Sequence, residues 1–112
     1  MTRPELAGAF EQLVLLALVR LGDRAYGMTV RQEIERRTAQ EVSLGAVYAT
    51  LTRLEGKGWI VSHAGPGTPE RGGRARNFFR LRAGGSRALN NSLRAIDEMR
   101  FKLPRLGRIT EA

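Results

Sequence analysis

The sequence contains no cysteine and a single histidine, His63. The absence of cysteine excludes disulfide bonds, thiolate metal ligands and cysteine nucleophiles. One histidine without a cluster of acidic ligands provides no set of side chains for a metal-centred enzyme. The glycine-rich stretch at 65–73, GPGTPERGG, lacks the lysine of a phosphate-binding loop and leads into a strand-like run. The sequence therefore predicts a protein that is not an enzyme and needs no metal or cofactor.

Long hydrophobic segments are also missing. The longest apolar run, 13–19, is far shorter than the roughly 20 residues that a membrane-spanning helix needs. No positively charged segment precedes a signal-like apolar core and cleavage site. We therefore expect a cytoplasmic protein. Its 112 residues suffice for one folded unit with a modest hydrophobic core.

Basic residues outnumber acidic ones. Lysine and arginine total 19 against 11 aspartate and glutamate residues, which gives a formal charge of +8. A surface with this charge attracts polyanions. Nucleic acid is therefore the first class of partner to consider, and an anionic membrane the second.

Four stretches have the apolar periodicity of helices. The first has so broad an apolar face that we expect it at the centre of the core, and Gly22 is typical of the position that follows a helix. Ser43 is a typical residue for the cap of the third helix. Pro104 breaks the last helix. The predicted helices are Glu5–Leu21, Gly27–Thr38, Leu44–Lys57 and Ala83–Leu103.

Two strand-like runs lie between the third and fourth helices. They are predicted at 59–64 and 75–82, and the turn-forming stretch between them makes them a hairpin. Residues 70–82 contain five arginines against one glutamate, a local charge of +4. Aromatic residues around this hairpin, Trp59, Phe78 and Phe79, are predicted to belong to the core rather than to a ligand site.

The third helix has an unusual outer face. If Val47, Leu51 and Leu54 point inward, the opposite face has almost no bulky side chains. A helix that faces only water usually carries long charged side chains, whereas a helix in the DNA major groove needs small residues and a few donors. A glycine in the first turn also costs roughly 1 kcal/mol relative to alanine and calls for a reason. The residues of this outer face are Gly45, Ala46, Ala49, Thr52 and Arg53.

The fourth helix carries an apolar stripe with steps of three and four residues. An isolated helix of this length is marginal in water, so the stripe needs a partner surface. The partner is either the first helix or the same helix of a second chain. The stripe consists of Leu89, Leu93, Ile96, Met99 and Leu103.

Three helices followed by a hairpin, with short connections, are typical of a winged helix-turn-helix domain. The chain also resembles the PadR family of bacterial transcriptional regulators over roughly residues 13–89. The matching segments are YG at 26–27, EVSLGAVYATLTRLEGKGWI at 41–60, GGRARNFFRL at 72–81 and AG at 83–84. The single helix after the hairpin resembles the short-tailed members. We therefore expect a mainly α-helical fold, with residues 1–82 as the DNA-binding domain and residues 83–112 as a dimerisation helix and tail.

The resemblance implies a homodimer in which the last helix of each subunit packs on the first helix of its mate. It also implies two recognition helices on successive half-sites of a pseudo-palindromic operator. Such regulators commonly repress transcription, and a small-molecule effector at the dimer interface is a further implied partner. The predicted interface residues are Phe10, Leu13, Leu89, Leu93, Ile96, Met99 and Leu103.

Predicted DNA contacts fall into three groups: the third helix, Tyr26 ahead of the second helix, and the wing, defined as residues 65–76. Wing arginines commonly touch the phosphate backbone or a narrow minor groove. Tyr26 and Tyr48 match tyrosines of the family. The predicted contacts are Tyr26, Ser43, Gly45, Ala46, Tyr48, Ala49, Thr50, Arg53, Arg71, Arg74 and Arg76.

Each group has a competing interpretation. Ser43 could be a helix cap alone, the two tyrosines could be packing residues, and the wing arginines could be solvated. An alternative function is a winged-helix module that binds another protein and has no specific DNA binding. The basic wing and the small-residue face argue against that alternative, because protein binding needs neither.

Overall fold

The protein has a mainly α-helical fold with one β-hairpin. The structure, a computed structural model, describes residues 5–67 and 75–104. A short 3-10 turn, Gly22–Arg24, follows the first helix. The order of elements confirms the predicted winged helix-turn-helix. The elements are α1 (Ala9–Leu21), α2 (Gly27–Thr38), α3 (Leu44–Gly56), β1 (Ile60–Gly67), β2 (Ala75–Leu81) and α4 (Ala83–Arg100).

The helix boundaries agree with prediction for α2 and within one residue for α3, but both terminal helices are shorter. Helix α1 begins at Ala9 rather than Glu5, because Gly8 is the extended cap residue and its N–H donates to the Glu11 carboxylate at 3.0 Å. Helix α4 ends at Arg100, since Phe101 already has an extended backbone. Among the helices that the structure describes, none is long and apolar enough to cross a membrane.

The core lies where α1, α2 and α3 meet the base of the hairpin. Trp59 and Phe79 are buried in it as predicted, whereas Phe78 is only half-buried. The inner face of α3 is also as predicted. The largest fully buried side chains are Val14, Leu15, Val30, Val47, Leu51, Leu54 and Ile60.

The two strands pair antiparallel, and the segment before α2 extends this sheet. Ile60 pairs with Leu81 at the base of the hairpin. On the other side of β2, the Phe79 N–H donates to the Ala25 carbonyl at 2.9 Å, and Tyr26 forms an isolated bridge with Phe78. The base of the wing is therefore attached directly to the start of α2.

Helix α4 packs on its own chain through its first half. Gly85 lies against the carbonyl of Trp59, where a β-carbon would collide with the backbone. Further along, the Ser92 hydroxyl accepts a hydrogen bond from the Ala7 N–H at 2.7 Å. Leu89 was predicted for the dimer interface, but it is only 5% exposed and belongs to the core of its own chain. Leu89 is therefore covered by its own chain.

Candidate nucleic-acid interface

The outer face of α3 is exposed and small, as predicted. Ser43 caps the helix, because its hydroxyl accepts from the Ala46 N–H at 3.0 Å. Gly45, Ala46 and Ala49 are all exposed. A β-carbon added at Gly45 would meet nothing within 4 Å in the described part of the chain. Packing among the described residues therefore gives no reason for glycine at that position.

Thr50 does not belong to this face. It was predicted to point toward DNA, but it is only 3% exposed. The residue follows Val47 by three positions and precedes Leu54 by four, so the helix turns it toward the core. Its hydroxyl accepts a long hydrogen bond of 3.4 Å from Arg53 Nη2. Thr50 therefore cannot reach a base edge, and we remove it from the predicted contacts.

Arg53 lies on the flank of the outer face and is partly tied to α1. Its side chain is 52% exposed, while its Nε donates to Glu11 Oε2 at 3.0 Å. Lys57 approaches the same oxygen at 3.1 Å. Burial would raise the pKa of Glu11, but hydrogen bonds from the Gly8 N–H, Arg53 and Lys57 outweigh it and lower that pKa below 4.5. Glu11 is therefore a carboxylate at neutral pH.

Tyr48 lies on the opposite flank of α3 and packs on the first turn of α2. It is 47% exposed, and its ring rests directly on Gly27, where a β-carbon would collide with it. The preceding Tyr26 is the cap residue of α2, and its N–H donates to the Thr29 hydroxyl at 3.0 Å. The pair Tyr26-Gly27 thus starts the helix and leaves room for Tyr48.

The base of the wing is an aromatic stack. The Arg76 guanidinium lies 4.6 Å from the centre of the Tyr26 ring, and Phe78 meets that ring edge-on with centroids 5.3 Å apart. His63 stacks on Phe78 at 5.9 Å, and Gly65 leaves room for the Phe78 ring. Tyr26 is therefore half-buried, and Arg76 is held beside it. Two further predicted contacts, Arg71 and Arg74, lie outside the described residues.

Part of the positive charge of α1 and α2 is neutralised within the chain. Glu33, on α2, is buried and accepts hydrogen bonds from Arg36 and Arg37, both at 2.6 Å, and from Arg20 at 3.2 Å. The hydrogen bonds from Arg37 and Arg36 lower the pKa of Glu33 from 4.5 to about 2. These three arginines therefore form an internal ion-pair cluster, and they also contribute to the positive electrostatic field around the protein.

Sequence reasoning missed both buried acids. Glu11 has the spacing of the inner face of α1, since Val14, Leu15 and Leu18 follow it by three, four and seven positions. Glu33 is likewise buried beside Ile34. The available signal was an acidic residue at an inward-facing helix position. A buried carboxylate needs cationic partners, so such a residue in a basic protein predicts an internal cluster with arginine or lysine.

The second half of α4 and the residues just after it carry exposed apolar side chains. Phe10, Leu13 and Leu93, also predicted for the interface, are only partly buried and pack against the core. The exposed set lies beyond them, toward the end of the described chain. Its members, with their exposed fractions, are Ile96 (51%), Met99 (78%), Phe101 (72%) and Leu103 (59%).

Comparison with known protein families identifies one family whose sequence model matches this chain. The sequence model of the transcriptional regulator PadR-like family matches residues 15–91, from α1 into α4. The matched region includes α2, α3, the wing and the first half of α4. No curated protein matches the chain by sequence.

Several solved structures are similar to this chain. A PadR family transcription regulator from Clostridium difficile is 23% identical with a TM-score of 0.64, and the match covers 83% of this chain and 95% of that one. A transcriptional regulator from Clostridium thermocellum is 21% identical with a TM-score of 0.67, over 80% and 84% of the two chains. RosR from H. salinarum is 22% identical with a TM-score of 0.66, over 88% and 81%. At these identities the likeness concerns the fold.

Proposed function

Because the chain belongs to the PadR-like family of transcriptional regulators, we propose that it is a homodimeric repressor that binds a pseudo-palindromic DNA operator. The outer face of α3 enters the major groove, and the wing contacts the backbone beside it. The observation that carries this proposal is the exposed, small face of Gly45, Ala46 and Ala49. A face without bulky side chains lets the helix backbone approach base edges closely.

Two sets of side chains supply phosphate contacts on either side of α3. Ser43 caps the N-terminus of α3, and the Tyr48 ring lies on the first turn of α2. Backbone N–H groups at such helix starts favour an anion. At the wing, Arg76 is already aligned on Tyr26. From their place in the sequence of the wing, Arg71 and Arg74 are proposed as further contacts to the DNA backbone or the minor groove. Arg53 supplies a further contact to DNA from the flank of α3 opposite Tyr48.

Dimerisation uses the exposed half of α4. Ile96 and Met99 on α4, and Leu103 just after its end, are exposed apolar side chains that a second copy of α4, or its α1, would bury. A pseudo-palindromic operator requires that the dimer present its two α3 helices on one face. A small molecule bound between the subunits would alter the spacing of the two α3 helices and release the DNA.

Selection from a library of random duplexes tests the proposal. We expect enrichment of a sequence with two symmetric half-sites, separated by about 10 base pairs or a multiple of that distance. Fluorescence anisotropy should then give an affinity at least about 1,000-fold tighter than for a scrambled duplex, with a steep loss as salt rises.

The opposite result would be a selection that enriches no sequence, with equal affinity for all duplexes. In that case the alternative function, a winged-helix module for protein binding, would be preferred. The exposed apolar end of α4 is the surface that such a module would use. Loss of a captured protein partner on Met99→Glu would then identify that surface.

A further inference from the structure

Glu11 is a buried carboxylate at the edge of the proposed DNA-binding face. It lies in the first turn of α1, yet its side-chain partners are Arg53 on α3 and Lys57, the residue that caps the end of α3. We propose that Glu11 is a positioning residue for DNA recognition, which holds the Arg53 guanidinium in one orientation at the flank of α3. This inference rests on the proposed function and names a residue that determines its specificity.

The contacts of Arg53 use one edge of its guanidinium. Nε donates to Glu11 at 3.0 Å, and Nη2 approaches the Thr50 hydroxyl at 3.4 Å. Because the guanidinium is planar, two contacts along one edge fix the plane of the whole group. The edge that carries Nη1 is thereby directed away from α1, on a side chain that remains 52% exposed. This edge is the donor available to a phosphate or a base.

Glu11 is itself rigidly held, which makes it suitable for this task. The Gly8 N–H donates to Oε1 at 3.0 Å, and Lys57 Nζ lies 3.3 and 3.1 Å from the two carboxylate oxygens. The carboxylate is thus bound from the start of α1 and from the end of α3 at once. An arginine ordered before DNA arrives loses less side-chain entropy on binding, so its contact contributes more to affinity.

An effect of charge alone can be distinguished from a positioning role, because the two predict different results when this carboxylate is removed. Glu11 places a negative charge close to a surface that meets a polyanion, so its removal should strengthen binding to any duplex. A positioning role predicts a loss of preference for the operator. The ratio between affinities for two duplexes separates the two effects, since general attraction cancels in the ratio.

The experiment compares Glu11→Gln with the unmodified protein on two duplexes. One is the sequence enriched by selection from random duplexes, and the other is a scrambled sequence of equal length and composition. Glu11→Gln should lower the preference for the enriched duplex by about three- to tenfold, the range expected when contacting residues are coupled. Fluorescence anisotropy at fixed salt measures each dissociation constant.

A double-mutant cycle tests whether the effect passes through Arg53. In an Arg53→Ala background, Glu11→Gln should change the preference no further, because no guanidinium remains to be positioned. Glu33→Gln is the matched control, since it removes the same charge from a buried acid whose partners are Arg20, Arg36 and Arg37. It should leave the preference unchanged.

The outcomes are distinct. An unchanged preference in Glu11→Gln, or an equal loss with and without Arg53, would overturn the inference and leave Glu11 as a structural link between α1 and α3. If Glu11→Gln does not fold, Glu11→Asp withdraws the carboxylate by one methylene, keeps its charge and carries the same expectation. Failure of the unmodified protein to enrich any duplex would instead refute the proposed function, and this inference with it.

Discussion

The ring of Tyr48 rests on the backbone of Gly27 and joins the flank of α3 to the first turn of α2. The contact requires glycine, because a β-carbon would overlap the end of the ring. The Tyr48 side chain thus packs against the α2 backbone in a space that only glycine leaves open. This contact also accounts physically for a glycine after Tyr26 at the start of α2.

Replacement of Gly27 by alanine should displace Tyr48. We expect Gly27→Ala to lower the free energy of unfolding by about 1 kcal/mol, the lower range for an overpacked site, since the ring can rotate away. Affinity for the enriched duplex should fall as well. In a Tyr48→Ala background the same change should be tolerated; a similar loss there would mean that the collision involves another group. Urea denaturation and anisotropy provide the two measurements.

Gly45→Ala is the counterpart on the open face. The new β-carbon meets nothing within 4 Å in the described residues, and alanine favours a helix by up to about 1 kcal/mol over glycine. Stability should therefore be equal or higher, while operator affinity falls if this face lies in the groove. Unchanged affinity would show that the DNA does not approach Gly45 closely.

Alanine substitutions at the adjacent glycines Gly84 and Gly85 of α4 should have opposite effects on stability. A β-carbon at Gly85 would collide with the Trp59 carbonyl, a backbone group that cannot move alone, so Gly85→Ala should cost about 1–3 kcal/mol. A β-carbon added at Gly84 would lie 3.6 Å from the nearest atom, Trp59 Cδ1, which is an ordinary van der Waals contact. Gly84→Ala should therefore be neutral or stabilising. Thermal unfolding of both variants checks the pair, and equal effects would contradict the proposed close approach.

Acid should weaken the cluster around Glu33. Its pKa in the folded protein is about 2, below the ordinary 4.5, so the folded state favours the ionised carboxylate. The resulting stabilisation is fully present above pH 4.5 and is lost as pH falls from 4.5 toward 2. The stability difference between the unmodified protein and Glu33→Gln should shrink over that window. Urea denaturation at several pH values measures it, with exposed Glu41→Gln as the control.

A charge on the exposed half of α4 should prevent dimerisation. Met99 is 78% exposed in the single chain, so Met99→Glu should leave the monomer folded but place a charge in the proposed apolar interface. We expect a monomer in sedimentation experiments and much weaker operator binding. Asn90→Glu introduces the same charge at an exposed polar position and should remain dimeric. If both variants behave alike, the interface lies elsewhere.

The sequence predicted the helices whose apolar spacing is regular and whose ends carry clear signals. Helix α2 has the predicted bounds, and Ser43 caps α3 as expected. The start of α1 was missed, because the capture of the Gly8 N–H by the Glu11 carboxylate depends on a side chain whose direction is set by tertiary contacts. Local signals cannot describe such a contact.

Predictions for the candidate site were likewise correct in part. The small outer face of α3 follows from helix geometry and was predicted correctly. Thr50 was predicted to face DNA, but its spacing from Val47 and Leu54 turns it inward. Leu89 was misassigned because a stripe of apolar residues does not indicate which surface covers each part. That choice depends on the close approach at Gly85, which is visible only in the fold.

The hydrogen bond from Ala7 to Ser92 has a mechanical consequence. Ala7 is held by α4, and its neighbour Gly8 holds the carboxylate of Glu11, which in turn holds Arg53 on α3. A series of hydrogen bonds thus runs from α4 to α3 through the start of α1. A displacement of α4 that moves Ser92 would therefore be transmitted through these hydrogen bonds to the flank of α3 within the same subunit.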